Sequence, residues 1–519
     1  MSHPVLSERT SGLLLHPTSL ASPHGLGDLG AEARAFIEFA RSAGQTWWQM
    51  LPVTPPAGGD CPYGASSAFA GSPLLIDLRG LVADGLLRAD ELPAEQPTGR
   101  ADFSFAHTEK ILRLEQAYRR KADVLGKKRG LAEDLEAFEQ REATWLDDYA
   151  LFAALHRAHA DRPWTEWDRD VRDRSRDGLR RARKALAGEI AFHRFSQWLF
   201  DRQWRALKRH AVDRQVRLMG DLPIFVAHDS ADVWSNRELF LLDRQGRPKQ
   251  VAGVPPDYFS KDGQLWGNPL YDWRTLAATG YRWWIDRFRA LFERFDAVRV
   301  DHFIGFYRAW HIPAGAKTAK LGRWRPGPRA ELFRRLEKKL GALPILAEDL
   351  GAVTPEVWAL RDEFGFPGMR VLQFAFGEPG SDNEHQPHLY PANAVVYTGT
   401  HDNDTISGWY ASLGKRIAAG GKEGAAAALQ RQHLLLYLDG MQDDLHWSLI
   451  RLVMLSAANT AIFPVQDVLG LGAEARMNVP GTAEGNWGFR LRRGALTEEH
   501  GARLATLTTL YGRAPRASR

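Results

Sequence analysis

Three carboxylates stand at the ends of short apolar runs in the second half of the chain. Asp301 ends the stretch FDAVRVD, Glu348 lies in ILAEDLG, and Asp402 lies in YTGTHDNDT. A carboxylate that attacks the sugar and a carboxylic acid that protonates the leaving oxygen form the pair used by retaining glycosidases. The three positions therefore indicate chemistry on a glycosidic bond, with Asp301 as a candidate nucleophile.

Arg299 precedes Asp301 by two residues within the same apolar run. Because side chains alternate along a β-strand, Ala297, Arg299 and Asp301 share one face, while Val298 and Val300 share the other. An arginine beside a carboxylate keeps it ionised by charge and by hydrogen bonding. Taken alone, this pattern favours a structural ion pair, but acids at the ends of further strands favour an active site.

Eight apolar runs with helical patterns between them are expected to position these residues. They cover residues 12–20, 46–53, 216–226, 295–301, 343–349, 368–376, 393–404 and 460–467. In the run 216–226, the strand is expected to stop at Asp221. This alternation predicts parallel strands joined by crossover helices. The predicted fold class is α/β, a (β/α)₈ TIM barrel, whose active site forms at the C-terminal strand ends.

Two stretches between the predicted strands are too long for simple connections. We predict a single catalytic barrel over residues 1–519 that carries two insertions. The first covers about residues 54–215 and is largely helical. The second covers about residues 227–290, is rich in Gly, Pro and aromatic residues, and is expected to cover the substrate.

Composition excludes several other classes of protein. The 519 residues are 44% hydrophobic and 25% charged, which is typical of a globular domain, and the net charge of +5 is small. The basic run at 169–186 interleaves Arg with Asp, which favours a solvated helix over a nucleic-acid patch. The most apolar segment, residues 449–465, contains Arg451, Asn459 and Pro464 and is not expected to span a membrane.

The residue types also bear on compartment, metals and cofactors. Cys61 is the one cysteine, so no internal disulfide can form, which fits a reducing, cytoplasmic location. The adjacent acids of HDND cannot all face one ion from a strand, and they lack calcium-loop spacing. We therefore predict a cytoplasmic protein that needs no metal and no cofactor and has neither nucleic acid nor membrane as a partner.

Long motifs along nearly the whole chain carry a family resemblance. They read LLLHPTSLASPHGLGDLG, SAFAGSPLLIDL, MGDLPIFVAHDSADVW, GVPPDYFSKDGQLWGNPLYDW, VRVDHFIGF, AEDLG, FPGMRVLQFAF, GTHDNDT and RMNVPGT. The chain resembles the 4-alpha-glucanotransferases of the amylomaltase or disproportionating-enzyme family. That resemblance implies a barrel with inserted subdomains and transfer of α-1,4-glucan segments to glucose or another glucan, with maltooligosaccharides as partners. It also implies a monomer or weak homodimer in glycogen or maltodextrin metabolism.

The resemblance implies a role for each carboxylate. Asp301 resembles the nucleophile that forms a β-linked glucosyl-enzyme. Glu348 resembles the acid/base that protonates the departing 4-oxygen and later deprotonates the acceptor. Asp402 resembles the third carboxylate, which binds hydroxyls of the distorted sugar and favours the oxocarbenium-like state.

The resemblance also implies a set of substrate contacts. The residues concerned are Tyr63, Asp221, Trp266, Arg299 and His401. Among them, Tyr63 is expected to stack on the reacting glucose, and the segment 253–269 is expected to close over bound glucan.

The chain departs from the family pattern at a few positions. CPYGASSAFAGSP has Gly64 and Ser66 where the family commonly has Gln and Phe, and Gly58 replaces an aromatic residue of some members. Ile304 stands where many relatives have Arg. These changes bear on donor-side contacts, on an accessory glucan site and on a contact near the nucleophile.

Two other functions remain open at this point. A retaining α-glucan hydrolase of the amylase type would form the same covalent intermediate but resolve it with water. A non-catalytic glucan-binding protein could use the 18 tryptophans as stacking platforms. The motifs favour transfer over hydrolysis, and the three carboxylates argue against binding alone.

Overall fold

Apolar runs of the sequence form twelve β-strands in the part of the chain that the structure describes. The structure is a computed structural model that describes residues 3–256, 261–377, 382–439, 441, 444–482 and 484–515. The strands are β1 (Thr10–Leu14), β2 (Trp47–Gln49), β3 (Arg217–Pro223), β4 (Gln250–Val254), β5 (Gln264–Pro269), β6 (Ala297–Asp301), β7 (Arg308–Pro313), β8 (Arg323–Pro326), β9 (Ile345–Ala347), β10 (Gly368–Val371), β11 (Ala394–Tyr397) and β12 (Thr460–Pro464).

Eight of these strands form one parallel sheet in the order β10-β11-β12-β1-β2-β3-β6-β9. Each of the eight predicted apolar runs supplies one of them. The two end strands also meet, because the amide of Ala347 donates to the carbonyl of Pro367 at 3.0 Å, directly before β10. The sheet is thus nearly closed into a barrel, and the predicted (β/α)₈ fold is confirmed.

Helices alternate with the barrel strands. The α-helices of the described residues are α1 (Pro4–Ser7), α2 (Ala31–Ser42), α3 (Leu78–Asp84), α4 (Phe103–Lys127), α5 (Arg129–Arg141), α6 (Ala143–Ala158), α7 (Arg169–Arg172), α8 (Arg176–Ala185), α9 (Ala187–Asp213), α10 (Ala231–Ser235), α11 (Trp273–Ala278), α12 (Arg282–Arg294), α13 (Ile304–Tyr307), α14 (Ala330–Leu340), α15 (Pro355–Glu363), α16 (Ile406–Ala419), α17 (Gly421–Tyr437), α18 (Leu445–Leu455), α19 (Val465–Val468) and α20 (Glu498–Leu510).

The amphipathic pattern of α2 shows why these helices cover the barrel. Its buried residues are Ala33, Phe36, Ile37 and Ala40, which recur at helical spacing on one face. That face packs into the large apolar cluster that also contains Val298 and Val300 of β6. Burial of these side chains against the sheet stabilises the outer layer of the barrel.

Inward-facing residues fill the barrel itself. A separate buried cluster takes side chains from all eight barrel strands: Leu14, Trp47, Met219, Ala297, Leu346, Met369, Val395, Tyr397 and Ile462. Ala297 therefore faces the lumen while its neighbour Val298 faces the helices, as strand alternation requires. Below the site the barrel is a packed core, which leaves its C-terminal end for polar side chains.

A second sheet is antiparallel and has the order β5-β4-β7-β8. Strands β4 and β5 follow β3 along the chain, whereas β7 and β8 follow β6. The pairing of β4 with β7, in which Val251 lies opposite Ile312, joins these two segments outside the barrel. This sheet was not predicted from the sequence.

The predicted insertions correspond to stretches with different content. Helices α3 to α9 lie between β2 and β3, and α10, β4, β5 and α11 lie between β3 and α12. The domain boundaries near 54–215 and 227–290 stay a prediction. Across the described residues, each helix is too short or too polar to cross a membrane.

Candidate active site

The guanidinium of Arg299 joins two carboxylates at the C-terminal end of the barrel. Its Nη1 donates to Oδ2 of Asp221 at 2.6 Å, and its Nη2 donates to Oδ1 of Asp301 at 2.8 Å. Asp221 and Arg299 lie opposite each other in the pairing of β3 with β6. Burial lowers the pKa of Arg299, but the two carboxylates outweigh it and leave the pKa well above its usual range.

Asp221 lies deeper than the sequence pattern indicated. The apolar run was expected to stop at Asp221, but β3 continues for two more residues to Pro223. Asp221 therefore lies inside the strand, one layer below Asp301, and is almost completely buried. Burial raises the pKa of its carboxyl, while Arg299 and the Tyr63 hydroxyl, which donates to Oδ2 at 2.7 Å, act in the opposite direction.

Glu348 follows β9 directly and is held by backbone amides. The amide of His302 donates to Oε2 at 2.7 Å, and the amide of Leu350 donates to Oε1 at 3.0 Å. His302 follows Asp301 in the chain, so the nucleophile candidate and the amide that binds Glu348 belong to consecutive residues. Asp301 and Glu348 thus come from neighbouring strands, β6 and β9, as the sequence predicted.

The electrostatic environment of Glu348 favours its protonated form. Burial, reinforced by the Asp301 carboxylate, raises the pKa of Glu348 to about 8. Arg299 and the amides of His302 and Leu350 act in the opposite direction because they stabilise the carboxylate. At neutral pH, Glu348 therefore carries a proton that it can donate, which suits a general acid.

Asp402 lies in the loop after β11, which is two strands beyond β9 around the barrel. The Asn478 side chain donates to its Oδ1 at 2.6 Å, and Arg476 donates from Nη2 to its backbone carbonyl at 2.6 Å. Nε2 of His401 lies 3.4 Å from the same Oδ1. The adjacent His401 and the distant segment 476–478 therefore fix the position of Asp402.

Aromatic rings connect Asp402's loop to the Asp221 side of the site. Tyr63 stacks on His401 with ring centroids 5.2 Å apart and an interplanar angle of 19°. Trp487 packs against both rings, at centroid distances of 5.9 and 6.2 Å. Because the Tyr63 hydroxyl also binds Asp221, the structure brings the predicted residues on both sides into one site.

Trp266 approaches the site from β5. Its ring meets the His302 ring edge-on with centroids 4.8 Å apart, and the residue is 38% exposed. The apolar face is thus available at the mouth of the barrel. The predicted substrate-covering segment 253–269 is described except for residues 257–260, which lie outside the described residues.

Sequence reasoning missed four residues that hold the site together. Arg476 and Asn478 lie in RMNVPGT, which had been noted only as a family motif. His302 follows the nucleophile candidate, and its contribution is made through the backbone, which a residue type does not reveal. Asp467 ends the apolar run TAIFPVQD, so its position after a strand was a usable signal.

Asp467 holds both ends of the loop that carries Asp402 by hydrogen bonds. The Thr398 hydroxyl donates to its Oδ2 at 2.5 Å, and the Ile406 amide donates to its Oδ1 at 2.9 Å. These two donors flank the loop that carries His401 and Asp402. Burial raises the pKa of Asp467 to about 7, against the effect of both donors.

The positions that depart from the family pattern lie in different surroundings. A Cβ built on Gly58 would meet open space, and one on Gly64 would have its nearest neighbour 4.0 Å away. Ile304 is buried in the core at the start of α13. Burial raises the pKa of the Cys61 thiol, which disfavours the nucleophilic thiolate.

Metal-binding side chains do not cluster in the part of the chain that the structure describes. No three His, Cys, Asp or Glu side chains there are arranged to hold a metal ion. The acids of HDND have separate partners: Asp402 accepts from Asn478, and Asp404 accepts from the Thr405 amide at 2.8 Å.

Known proteins resemble the chain over almost its full length. The model of a family described as 4-alpha-glucanotransferase matches residues 15–497. A 4-alpha-glucanotransferase of Thermus thermophilus is 50% identical over 501 residues, which cover 96% of this chain and 98% of that protein. A 4-alpha-glucanotransferase of Synechocystis sp. is 47% identical over 515 residues, covering 98% and 99% of the two chains.

Solved structures show the same likeness. The amylomaltase from Streptococcus agalactiae in complex with acarbose matches with a TM-score of 0.90 and 36% identity, over 98% of this chain and 100% of that one. The amylomaltase from Corynebacterium glutamicum matches with a TM-score of 0.78 over 97% of this chain and 75% of that one. At 19% identity, the second likeness concerns the fold alone.

Proposed function

The chain belongs to the 4-alpha-glucanotransferase family, and from this premise we propose how its carboxylates divide the work of glucan transfer. The enzyme is a glycosyltransferase that moves a segment of an α-1,4-glucan to an acceptor sugar. The proposal assigns the nucleophile to Asp301, the acid/base to Glu348 and the stabilising carboxylate to Asp402. Two carboxyl groups on neighbouring strands carry the proposal: a protonated Glu348, and Asp301 in an ion pair with Arg299.

In the first step, an oxygen of Asp301 attacks the anomeric carbon of the donor. The bond to the departing 4-oxygen breaks, and Glu348 gives its proton to that oxygen, so a free glucan with a 4-hydroxyl leaves. A β-linked glycosyl ester on Asp301 remains. Arg299 supports this step by donating from Nη2 to Oδ1 of Asp301, which fixes the orientation of the attacking carboxylate.

In the second step, Glu348 is a carboxylate and takes the proton from the 4-hydroxyl of an acceptor. That oxygen attacks the anomeric carbon, the ester bond breaks, and Asp301 is restored as a carboxylate. Two inversions leave the new bond in the α-configuration. We expect the carboxyl groups of Asp301 and Glu348 to lie roughly 5–5.5 Å apart, the spacing of retaining enzymes.

Asp402 is proposed to bind hydroxyls of the reacting sugar. Its Oδ1 is fixed by Asn478, and its side chain is 44% exposed, so the carboxylate is oriented but open to a ligand. Bonds from an oriented carboxylate to the distorted ring strengthen as positive charge develops on the sugar. Tyr63, Asp221, Trp266, Arg299 and His401 are proposed as the further substrate contacts.

The proposed substrates are maltooligosaccharides and α-1,4-glucans. The complex of the similar amylomaltase with acarbose supports substrates of this class. We further propose that the enzyme acts in the cytoplasm as a monomer or weak homodimer. The single cysteine, which excludes an internal disulfide, supports the cytoplasmic location.

Incubation with maltotriose alone tests the transfer reaction. We expect glucose together with maltopentaose and longer chains, with little net gain in reducing ends, because one α-1,4 bond is broken for each one made. A product of only glucose and maltose, with reducing ends rising as substrate disappears, would show a hydrolase. No change at all would show a binding protein.

Two conservative substitutions test the assigned roles. Asp301→Asn removes the nucleophile and Glu348→Gln removes the proton donor, and each is expected to lower kcat by roughly 10³-fold or more. Glu136→Gln makes the same chemical change at an exposed position on α5 and serves as the control. Near wild-type turnover in either active-site variant would show that the assignment is wrong.

A further inference from the structure

We propose that His302 is a positioning residue for the transfer reaction. Its left-handed backbone turns its amide toward Glu348 and so fixes the acid/base relative to the nucleophile, and its imidazole is not needed for this. The inference rests on the proposed roles of Asp301 and Glu348. The contribution of His302 is the hydrogen bond from its main-chain amide to the Glu348 carboxyl.

The backbone of His302 has an unusual conformation. Its φ is +52°, in the left-handed region that few residues other than glycine adopt. Histidine, asparagine and aspartate enter this region more easily than most residues, whereas β-branched residues rarely do. The residue type is therefore compatible with a turn that most other side chains would strain.

This turn lets the chain after Asp301 bind Glu348 repeatedly. The His302 amide donates to the side-chain Oε2 at 2.7 Å, and the amide of Phe303 donates to the backbone carbonyl of Glu348 at 3.1 Å. The backbone amide of Glu348 donates to the carbonyl of Val300 at 3.0 Å. Glu348 thus forms hydrogen bonds with residues before, at and after the turn, namely Val300, His302 and Phe303.

The His302 amide is the contact that crosses from β6 to the Glu348 side chain. The other amide bound to the carboxyl group belongs to Leu350, two residues beyond Glu348 in the same loop. A change of φ at His302 would redirect its amide and move it relative to Asp301, which precedes it. The separation of the two catalytic carboxyls therefore depends on this one backbone position.

The amide also bears on the protonation of Glu348. The charged groups that act on this carboxyl are Arg299 and Asp301, both on β6, and burial adds to the effect of Asp301. The His302 amide favours the carboxylate, so its loss is expected to raise the pKa of Glu348 further. A misdirected turn should therefore alter the pH dependence of the reaction as well as its rate.

The imidazole can be separated from this backbone role. Burial lowers the pKa of His302 to about 4, so the ring is neutral at working pH and adds no charge beside Glu348. The ring contacts Trp266 and Phe225, with centroids 4.8 and 6.3 Å away. Every substitution at position 302 loses these contacts, so differences between the variants measure the backbone role.

Substitutions that differ in their tolerance of a positive φ test the inference. His302→Gly and His302→Asn accept the turn and remove the imidazole, whereas His302→Val disfavours the turn. The measurement is kcat/KM for maltotriose disproportionation as a function of pH. Release of fluoride from α-maltotriosyl fluoride, whose leaving group needs no proton donor, is measured in parallel.

In His302→Gly and His302→Asn, we expect kcat/KM for maltotriose to fall at the same alkaline pH as in the wild type. This fall is the alkaline limb of the pH profile. His302→Val is expected to move that limb upward by about one pH unit and to lower kcat/KM for maltotriose by at least about tenfold. The rate of fluoride release should fall by less, because it does not use the proton of Glu348. If the Val variant does not fold, His302→Ala, which strains the turn less, is expected to show a smaller shift of the same sign.

Two results would overturn the inference. An unchanged limb in the Val variant, or in the Ala variant if Val does not fold, would show that the turn does not position Glu348. An equal shift in the Gly and Asn variants would assign the effect to the imidazole. Failure of the proposed function is distinguishable, since it would appear as an active Glu348→Gln variant whatever residue occupies position 302.

Discussion

Arg299 donates a hydrogen bond to Asp301, two residues further along the same strand, at 2.8 Å. The same guanidinium binds the buried Asp221 on the neighbouring strand at 2.6 Å. One cation therefore binds both the buried Asp221 and the proposed nucleophile Asp301. The planar fork of arginine allows this double contact, which a lysine ammonium cannot reproduce with the same geometry.

Arg299→Lys is expected to lower kcat by roughly 10²-fold or more, because Asp301 loses its oriented donor. It should also destabilise the fold by about 3 kcal/mol, since the buried Asp221 loses a partner. Arg217→Lys, on the same barrel at the start of β3, is the matched control and should leave kcat unchanged. Steady-state kinetics and thermal unfolding of both variants provide the measurement. Wild-type kcat in Arg299→Lys would contradict the role assigned to the guanidinium.

The pH dependence of the wild-type enzyme should reflect the raised pKa of Glu348. The first step needs this carboxyl protonated, and its pKa is about 8. We therefore expect kcat/KM for maltotriose to fall as pH rises through about 8, with a slope near one proton. A profile that stays flat from pH 7 to 10 would show that Glu348 does not act as the acid.

The same shift predicts that Glu348 destabilises the protein at higher pH. Between its ordinary pKa of 4.5 and its folded pKa of about 8, the folded state holds a proton that the unfolded state has lost. Stability therefore falls as pH rises through this window. Glu348→Gln should be more stable than wild type by roughly 2–4 kcal/mol at pH 8, with little difference below pH 4.5.

Thermal or denaturant unfolding at pH 4.5 and pH 8 measures this difference. The exposed control Glu136→Gln is expected to change neither value. A Glu348→Gln variant that is less stable than wild type at pH 8 would show that the carboxylate is not strained by its surroundings.

The barrel could be predicted from the sequence because its signals are local. Eight apolar runs separated by amphipathic patterns were enough to place the strands, and β6 followed the expected alternation with Ala297 inward and Val298 outward. The end of β3 was placed two residues too early. An acid usually ends a buried strand, but Asp221 is tolerated inside β3 because Arg299 lies opposite it.

Features that depend on contacts between distant segments were not predictable in this way. The sheet β5-β4-β7-β8 combines two segments of the chain that are separated by β6. No local sequence pattern indicates which of these strands pair. The support of Asp402 by Arg476 and Asn478 likewise joins residues more than 70 positions apart. The φ of His302 is a property of the backbone that the residue name does not report.

Trp266 is expected to shape the closed glucan site and to exclude water from it. Trp266→Ala should weaken glucan binding and raise the ratio of hydrolysis to transfer, because water then competes better for the covalent intermediate. Leu265→Ala is the matched control, since this exposed neighbour points to the other face of β5. Reducing ends and longer oligomers are quantified in the same maltotriose reaction. An unchanged ratio in Trp266→Ala would remove Trp266 from this role.

The central claim is that Asp301 forms a covalent glycosyl ester while Glu348 supplies and removes protons. Mass spectrometry of Glu348→Gln after reaction with α-maltotriosyl fluoride tests it most directly. Fluoride leaves without an acid, but the variant lacks the base for the second step, so the intermediate should accumulate. We predict one maltotriosyl unit on the peptide that contains Asp301, and none in the double variant that also carries Asp301→Asn. An unmodified peptide despite fluoride release, or an adduct on another residue, would contradict the account.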